Sequence, residues 1–275
     1  MKSRRHARLA AIFVGLVSIF AMASPAAQAE ELNEGYEQFA GCPNPFLSGN
    51  ENIVTCLRSV ITGGNFKMGN KEVPITNPIT ITGGVENELK NFSYNSEGGL
   101  QKVKQPVPGG LVGLTGLEEL LEILSVEQLK LYAVTELAGT PKFIDLNHAT
   151  LPIKIHLENA VLGSKCYVGS NAKPIVLNLI TGTTEPPGPN TPITGKAPKP
   201  GFEPVREIFQ AKEGECVDNS FAAPGASGCV LNLGLIPLPI DAIVNAASGL
   251  PSAAGKNETR QQFELELVDA TFPYQ

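Results

Sequence analysis

LPIKIHLENAVLGSKCYVGSNAKPIVLNLITGTT, residues 151–184, decides the fold. Leu151, Ile153, Ile155 and Leu157 alternate with Pro152, Lys154, His156 and Glu158. A period of two puts one set of side chains in a core and the other in water, which predicts a strand. Gly163-Ser164 and Gly169-Ser170 then break the chain around Cys166. Ile175, Leu177 and Leu179 resume the alternation, and Gly182 ends it. Two strands therefore flank a cysteine-bearing turn.

Similar patterns extend on both sides. Leu57–Thr62 and Asn65–Met68 flank Gly63-Gly64, which predicts a hairpin. Val73–Ile75 and Ile79–Thr82 follow as short strands closed by Gly83-Gly84, with Pro74 and Pro78 placing them at edges or bends. Leu129–Ala138 reads as a strand with Leu129, Leu131, Ala133 and Leu137 on one face. The last strand alternates Phe263, Leu265 and Leu267 with Gln262, Glu264 and Glu266.

Two stretches depart from this pattern. Leu114, Leu117, Leu120, Leu121 and Leu124 recur at helical spacing, and Thr115-x-x-Glu118 has the form of a capping box. The acidic polar face (Glu118, Glu119, Glu122) argues against an anionic lipid surface and for a plug at one end of a β core. Asp241–Ser248 predicts a second short helix, capped by Asp241 and stopped by Gly249 and Pro251. Residues 185–204 hold seven prolines and read as an extended surface loop rather than a linker. The expected fold is mainly β: a disulfide-stapled antiparallel β-sandwich or flattened barrel with one or two short helices. It forms a single domain over residues 30–275, which begins with an irregular N-terminal arm over 30–52.

Residues 1–29 have the form of a signal peptide. Lys2, Arg4, Arg5 and Arg8 make a basic start, Leu9–Ala23 is apolar, and Ala27-Gln28-Ala29 is a small-residue cleavage site. The apolar run, about 15 residues, is short for a membrane span. Removing this leader takes four of the 21 basic side chains and none of the 27 acidic ones, which leaves a formal charge of −10. An acidic export with no tryptophan and no basic run is a poor nucleic-acid binder. No later stretch predicts a membrane span: the most apolar, Leu231–Leu250, carries Pro237, Pro239 and Asp241. The expected location is extracellular or in the cell envelope.

All five cysteines, Cys42, Cys56, Cys166, Cys216 and Cys229, follow the leader, and an oxidising destination favours bridges. Cys42 with Cys56 is the local pairing. Cys166 with Cys229 is the second expected bridge, leaving Cys216 over, with a Cys216–Cys229 loop as the competing choice. No C-x-x-C pair, zincin helix or EF-hand loop occurs, so no cofactor or metal residue is assigned.

A further pattern runs through Cys166-Tyr-Val-Gly-Ser170, Pro174-Ile-Val-Leu, Thr181-Gly-Thr-Thr184 and Pro192-Ile-Thr-Gly195. Val217-Asp-Asn-Ser-Phe221, Pro224-Gly-Ala-Ser-Gly-Cys229 and the run from Gly249 to Asn257 belong to it as well. Together these segments resemble a group of secreted actinobacterial proteins. The resemblance covers most of residues 57–257 and implies secretion, a single domain and the Cys166–Cys229 pairing. Cys216 is extra to that pattern. It brings no established activity and therefore no catalytic residue.

Chemistry is sparse. After the leader the chain has two histidines, His148 and His156, and four aspartates, Asp145, Asp218, Asp241 and Asp269. Ser164, Ser170 or Ser227 with His156 and Asp218 form a triad only on paper, because Gly225-Ala-Ser-Gly228 lacks the G-x-S-x-G spacing. Twenty-three glutamates leave a two-carboxylate glycosidase open, although sugar clefts lean on aromatic faces that are scarce here. The leading expectation is a non-enzymatic binding or structural module of the cell envelope or extracellular space, recognising partners by loops on a rigid sheet. The alternatives are a secreted hydrolase using paired glutamates in a sandwich cleft and a carrier of a small apolar ligand. A cavity of several hundred Å³ is the mark of the carrier (about 300 Å³ at least for a drug-sized ligand).

Overall fold

The alternation at Leu151–Leu157 survives in three dimensions: these four apolar residues are buried, and Pro152, Lys154, His156 and Glu158 face outward. The computed structural model describes residues 32–87, 90–234 and 236–274. The leader expected over residues 1–29, with its cleavage after Ala29, lies outside the described residues.

After a 3₁₀ turn at Glu37–Phe39, the chain forms β1 (Ile53–Met68), β2 (Lys71–Pro74), β3 (Ile79–Glu86), β4 (Phe92–Ser93), β5 (Gly99–Leu100) and β6 (Lys104–Pro106). Three short helices follow, α1 (Gly110–Thr115), α2 (Glu118–Leu121) and α3 (Val126–Leu129). Then come β7 (Tyr132–Leu137), β8 (Lys142–Asp145), β9 (His148–Glu158), β10 (Tyr167–Val168) and β11 (Ile175–Ile180). The remainder is β12 (Lys199–Glu203), β13 (Ile208–Asp218), β14 (Ala226–Ser227), β15 (Val230–Asn232), β16 (Pro237–Pro239), α4 (Asp241–Ser248) and β17 (Glu258–Asp269).

All the pairings are antiparallel, and they close on themselves. β9 pairs β11, β11 touches β13 at Ile180–Val217, β13 pairs β17, β17 pairs β1, and β1 pairs β3. The return from β3 to β9 runs along two routes. The segment 99–106 pairs β3 through β5 and β7 through β6, and β7 pairs β9. Beside it, β4 pairs β3 and meets the start of β8 through Asn91–Lys142, and β8 pairs β9. The curled sheet is thus a barrel, the flattened-barrel form of the expected architecture, and closure leaves open edges only on short strands such as β2, β12 and β14.

Several local expectations are corrected. Gly63-Gly64 is not a turn: β1 runs straight through it, with a register shift between Ile61 and Gly63. A side chain at Gly64 would collide with the Arg260 carbonyl, and its φ of +119° suits glycine. The extra residue of the bulge is Thr62, just before the pair, and Gly64 marks a close approach to β17. The bulge switches strand parity, so Ser59 and Ile61 face inward before it and Phe66 and Met68 after it. Gly83-Gly84 likewise lies inside β3 and does not end it, because the ring of Phe92 packs where a side chain at Gly83 would stand.

The helix expected over Leu111–Leu124 is broken into pieces, giving four short helices among the described residues rather than one or two. Gly116, at φ +68°, ends α1 by a left-handed cap. Thr115 donates to the Leu111 carbonyl instead of capping, and the capping box is Ser125–Gln128 at α3. The expected role as an end plug holds, since Leu111 and Leu114 of α1 join the main core beside Val244 of α4. α4 has the expected bounds, but Asp241 does not cap it. Its carboxylate accepts from the Cys229 and Gly228 amides, tying the helix to the turn before it. The proline-rich run is a loop up to Pro198, and its end is β12, laid against β13.

Both expected bridges are present, Cys42–Cys56 and Cys166–Cys229, and Cys216 is free. Cys42–Cys56 pins the irregular arm over the outer face of β1, β13 and β17, where Phe39, Ile208 and Val268 form a separate small core.

Candidate functional site

The barrel interior is incompletely filled. Three cavities, of about 80, 70 and 50 Å³, follow one another inside it. Along β9 the walls pass from His148–Leu151 in the 70 Å³ mouth cavity to Leu151–Ile155 in the 80 Å³ central one. They end at Ile155–Leu157 in the 50 Å³ cavity. β1 gives the same order: Ser59 and Ile61, then Ile61–Met68, then Met68. The last cavity is closed by Leu114 of α1 and Val244, Ser248 and Leu250 at α4. The mouth cavity is bordered by Asp145, Leu146 and Asn147 of the β8–β9 turn. Side chains shared between neighbours, Leu100 and Leu151 on one side and Met68 and Ile155 on the other, partition the space.

The walls are apolar with few polar groups. Gln105 and Gln261 are both buried and both line the central cavity. Gln105 is fully engaged. Its Oε1 accepts from the Thr76 and Asn77 amides, and its Nε2 donates to the Asn77 carbonyl, so it organises the β2–β3 turn. Gln261 is engaged at one end only: Nε2 donates to Thr259 Oγ1 at 3.2 Å, and Oε1 has no partner. The sequence contained a signal for it. Gln261 has the parity of Phe263 and Leu265, so extending the last strand's alternation one step back would have placed it inside.

Cys216 lines the mouth cavity, and its Sγ lies 3.6 Å from the Gln261 carbonyl. Burial pushes its thiol up to about 12. A thiol held protonated is a poor nucleophile. Native protein at pH 8 is therefore expected to react with iodoacetamide at Cys216 far more slowly than urea-unfolded protein, which takes up one label per chain. Cys216 is half-buried as a residue, so it is the shielding of the thiol that equal labelling rates by intact mass would refute.

The outer face of the same strands carries a group of paired charges. Glu136 on β7 meets Lys102 at 2.9 Å and Lys154 at 3.5 Å. Glu158 meets Lys104 at 2.8 Å, and Lys154 also lies over the Tyr167 ring, 5.1 Å from its centroid. Burial works to raise the Glu136 carboxyl, but the hydrogen bond and charge of Lys102 and the charge of Lys154 outweigh it and hold the carboxyl below its usual range. A depressed folded-state value stabilises the protein above the ordinary carboxyl value of 4.5 and loses that contribution as pH falls below it. Glu136→Gln should therefore destabilise the protein by up to about 1 kcal/mol at pH 7. In urea melts the difference from wild type should shrink towards pH 3; a difference independent of pH would refute the ion-pair origin.

The residues of the paper triad are not brought together. His156 Nε2 donates to the Ser164 carbonyl at 3.1 Å, its Nδ1 faces Glu158 at 3.3 Å, and the ring stacks on Tyr167. Asp218 accepts instead from the Asn178 and Ser220 amides and the Ser220 hydroxyl, and Ser170 Oγ accepts from the Lys173 amide. Ser227 is exposed on β14. His148 Nε2 lies 2.6 Å from Asn178 Oδ1 at the barrel mouth, away from the groove that holds His156. That groove, about 460 Å³ and open, has two carboxylates, Glu127 and Glu158, each ion-paired to a lysine. Among the described residues no group of three or more His, Cys, Asp or Glu could hold a metal ion. Among them, too, no helix is long and apolar enough to cross a membrane. Comparison with protein-family models, curated proteins and solved structures gives no match.

Proposed function

We propose that the protein is a secreted, non-enzymatic binding module whose ligand is a small apolar molecule held inside the barrel. One observation carries this reading: the three cavities lie end to end along the barrel, with apolar walls, instead of a filled core. Well-packed interiors keep few voids larger than a water molecule, and apolar voids stay dry and take up apolar guests. None of the three compartments reaches the several hundred Å³ expected of a carrier, so a bulky ring system is disfavoured. A slender, unbranched chain suits them better. To pass from one compartment to the next it must displace the buried side chains that partition them, such as Leu151 and Ile155.

Two disulfides and the leader-like residues 1–29 support an extracellular or envelope setting. The experiment is mass spectrometry of organic extracts from protein purified out of the culture medium with its N-terminus at Glu30. The expected result is an alkyl-chain compound in stoichiometric amount, lost on urea unfolding. Protein that comes out empty and fails to take up any added alkyl compound in calorimetric titration would overturn the reading.

A further inference from the structure

We infer that the ligand carries a hydrogen-bond donor, a hydroxyl on an otherwise apolar chain, and that Gln261 Oε1 receives it. This rests on the interior-carrier reading and adds the polar end of the ligand. Gln261 is 5% exposed, and it is a wall residue of both the central and the mouth cavity. Its neighbours at inward positions of β17, Thr259 and Phe263, are buried as well.

The orientation of its amide follows from the hydrogen bonds around it. Thr259 Oγ1 donates its only proton to the Asn65 carbonyl at 2.8 Å. What Thr259 has left is a lone pair, which needs an N–H. Nε2 of Gln261 supplies it, so turning the amide over would set two acceptors face to face. Oε1 is thereby fixed as the free atom, a buried acceptor with no donor.

Buried carbonyl oxygens are rarely left in this state, because an unmade hydrogen bond forfeits the full cost of desolvation. Gln105, in the wall of the same cavity, shows the usual outcome with both ends of its amide used. A cavity-wall residue whose buried amide oxygen the chain leaves unsatisfied is the kind of polar point that fixes a ligand's orientation. An acceptor selects a donor: an alcohol fits, and an ether of the same shape does not. The chain of such an alcohol would extend from Gln261 into the central cavity towards α1 and α4.

The test uses wild-type protein and Gln261→Leu, each stripped of ligand and checked for an unchanged fold by circular dichroism and urea melts. 1-Hexanol, 1-octanol and 1-decanol are titrated by calorimetry beside methyl ethers with the same number of heavy atoms. Wild type is expected to bind the best-fitting alcohol roughly tenfold more tightly than its ether, the worth of one hydrogen bond. Gln261→Leu should bind the two about equally, with ether affinity retained. Equal binding of alcohol and ether by wild type overturns the role of Gln261 and leaves the carrier reading standing; this holds even if the variant does not fold. A preference that persists in Gln261→Leu assigns the donor's partner to another group and also overturns it. Binding of neither series overturns the carrier reading itself.

Discussion

Ile155→Ala is expected to destabilise the protein by about 2–5 kcal/mol in urea melts, with little change in slope. Ile155 is 5% exposed and stands between the central cavity and the one under the helices. Truncating it removes buried methyl and methylene groups and joins two voids into one. A closed barrel wall cannot collapse onto the space, so relaxation recovers little of the loss. The neighbour on the other face of the strand is the control. By alternation alone Lys154 is an ordinary exposed residue, with a cost within roughly 0.5 kcal/mol. The structure raises that expectation to on the order of 1 kcal/mol, because Lys154 pairs with Glu136 and lies over Tyr167. Glu136 keeps Lys102, which limits the damage. Equal effects from the two substitutions would mean that the faces of β9 are assigned wrongly, since a one-residue slip exchanges every side chain.

The second large effect is that of the Cys166–Cys229 bridge. Its cysteines are 63 residues apart, against 14 for Cys42–Cys56. Chain entropy then gives about 4 kcal/mol for the long loop and about 3 kcal/mol for the short one. The long bridge also joins the turn before β10 to the segment carrying β14, β15 and α4, so its loss loosens the covered end of the barrel. The double variant Cys166→Ala/Cys229→Ala is expected to melt at lower urea than Cys42→Ala/Cys56→Ala. The reverse order would show that the arm, and not the cap, is the more constrained element.

Legibility in the sequence followed the length and regularity of the pattern. Leu151–Leu157 and Ile175–Leu179 were readable because each has one face in the core and one in water. The last strand was readable for the same reason. Gly63-Gly64 and Gly83-Gly84 were misread because a glycine pair that permits a turn also permits a bulge or a close approach. What chooses is β17, remote in sequence, for the first pair, and for the second the ring of Phe92, brought back over Gly83 by the pairing of β3 with β4. The leucine run at 111–124 has a helical period, but Gly116 interrupts it, and a propensity sum over the stretch hides one left-handed residue. Two disulfide options existed for Cys229, Cys166 and Cys216, and strand pairing decides between them: β10 and β14 lie side by side, bringing Cys166 to Cys229. Of the candidate site, the apolar wall residues were legible as core. That they leave space was not, because a void is a property of the whole packing. Gln261 was within reach of the alternation, yet its lack of a partner depends on Thr259 and Asn65.

The longest ladder in the barrel joins its first strand to its last, from Thr55–Asp269 to Lys67–Glu258. A chain leaving the ribosome N-terminus first therefore holds β1 without its main partner until residues 258–269 have emerged. Everything between must be spanned before that ladder can form, and contacts so distant along the chain slow folding. The barrel cannot ripen piecemeal from its N-terminus. The chain stays open until its last strand has been made, with β1 unpaired along the edge that β17 will cover.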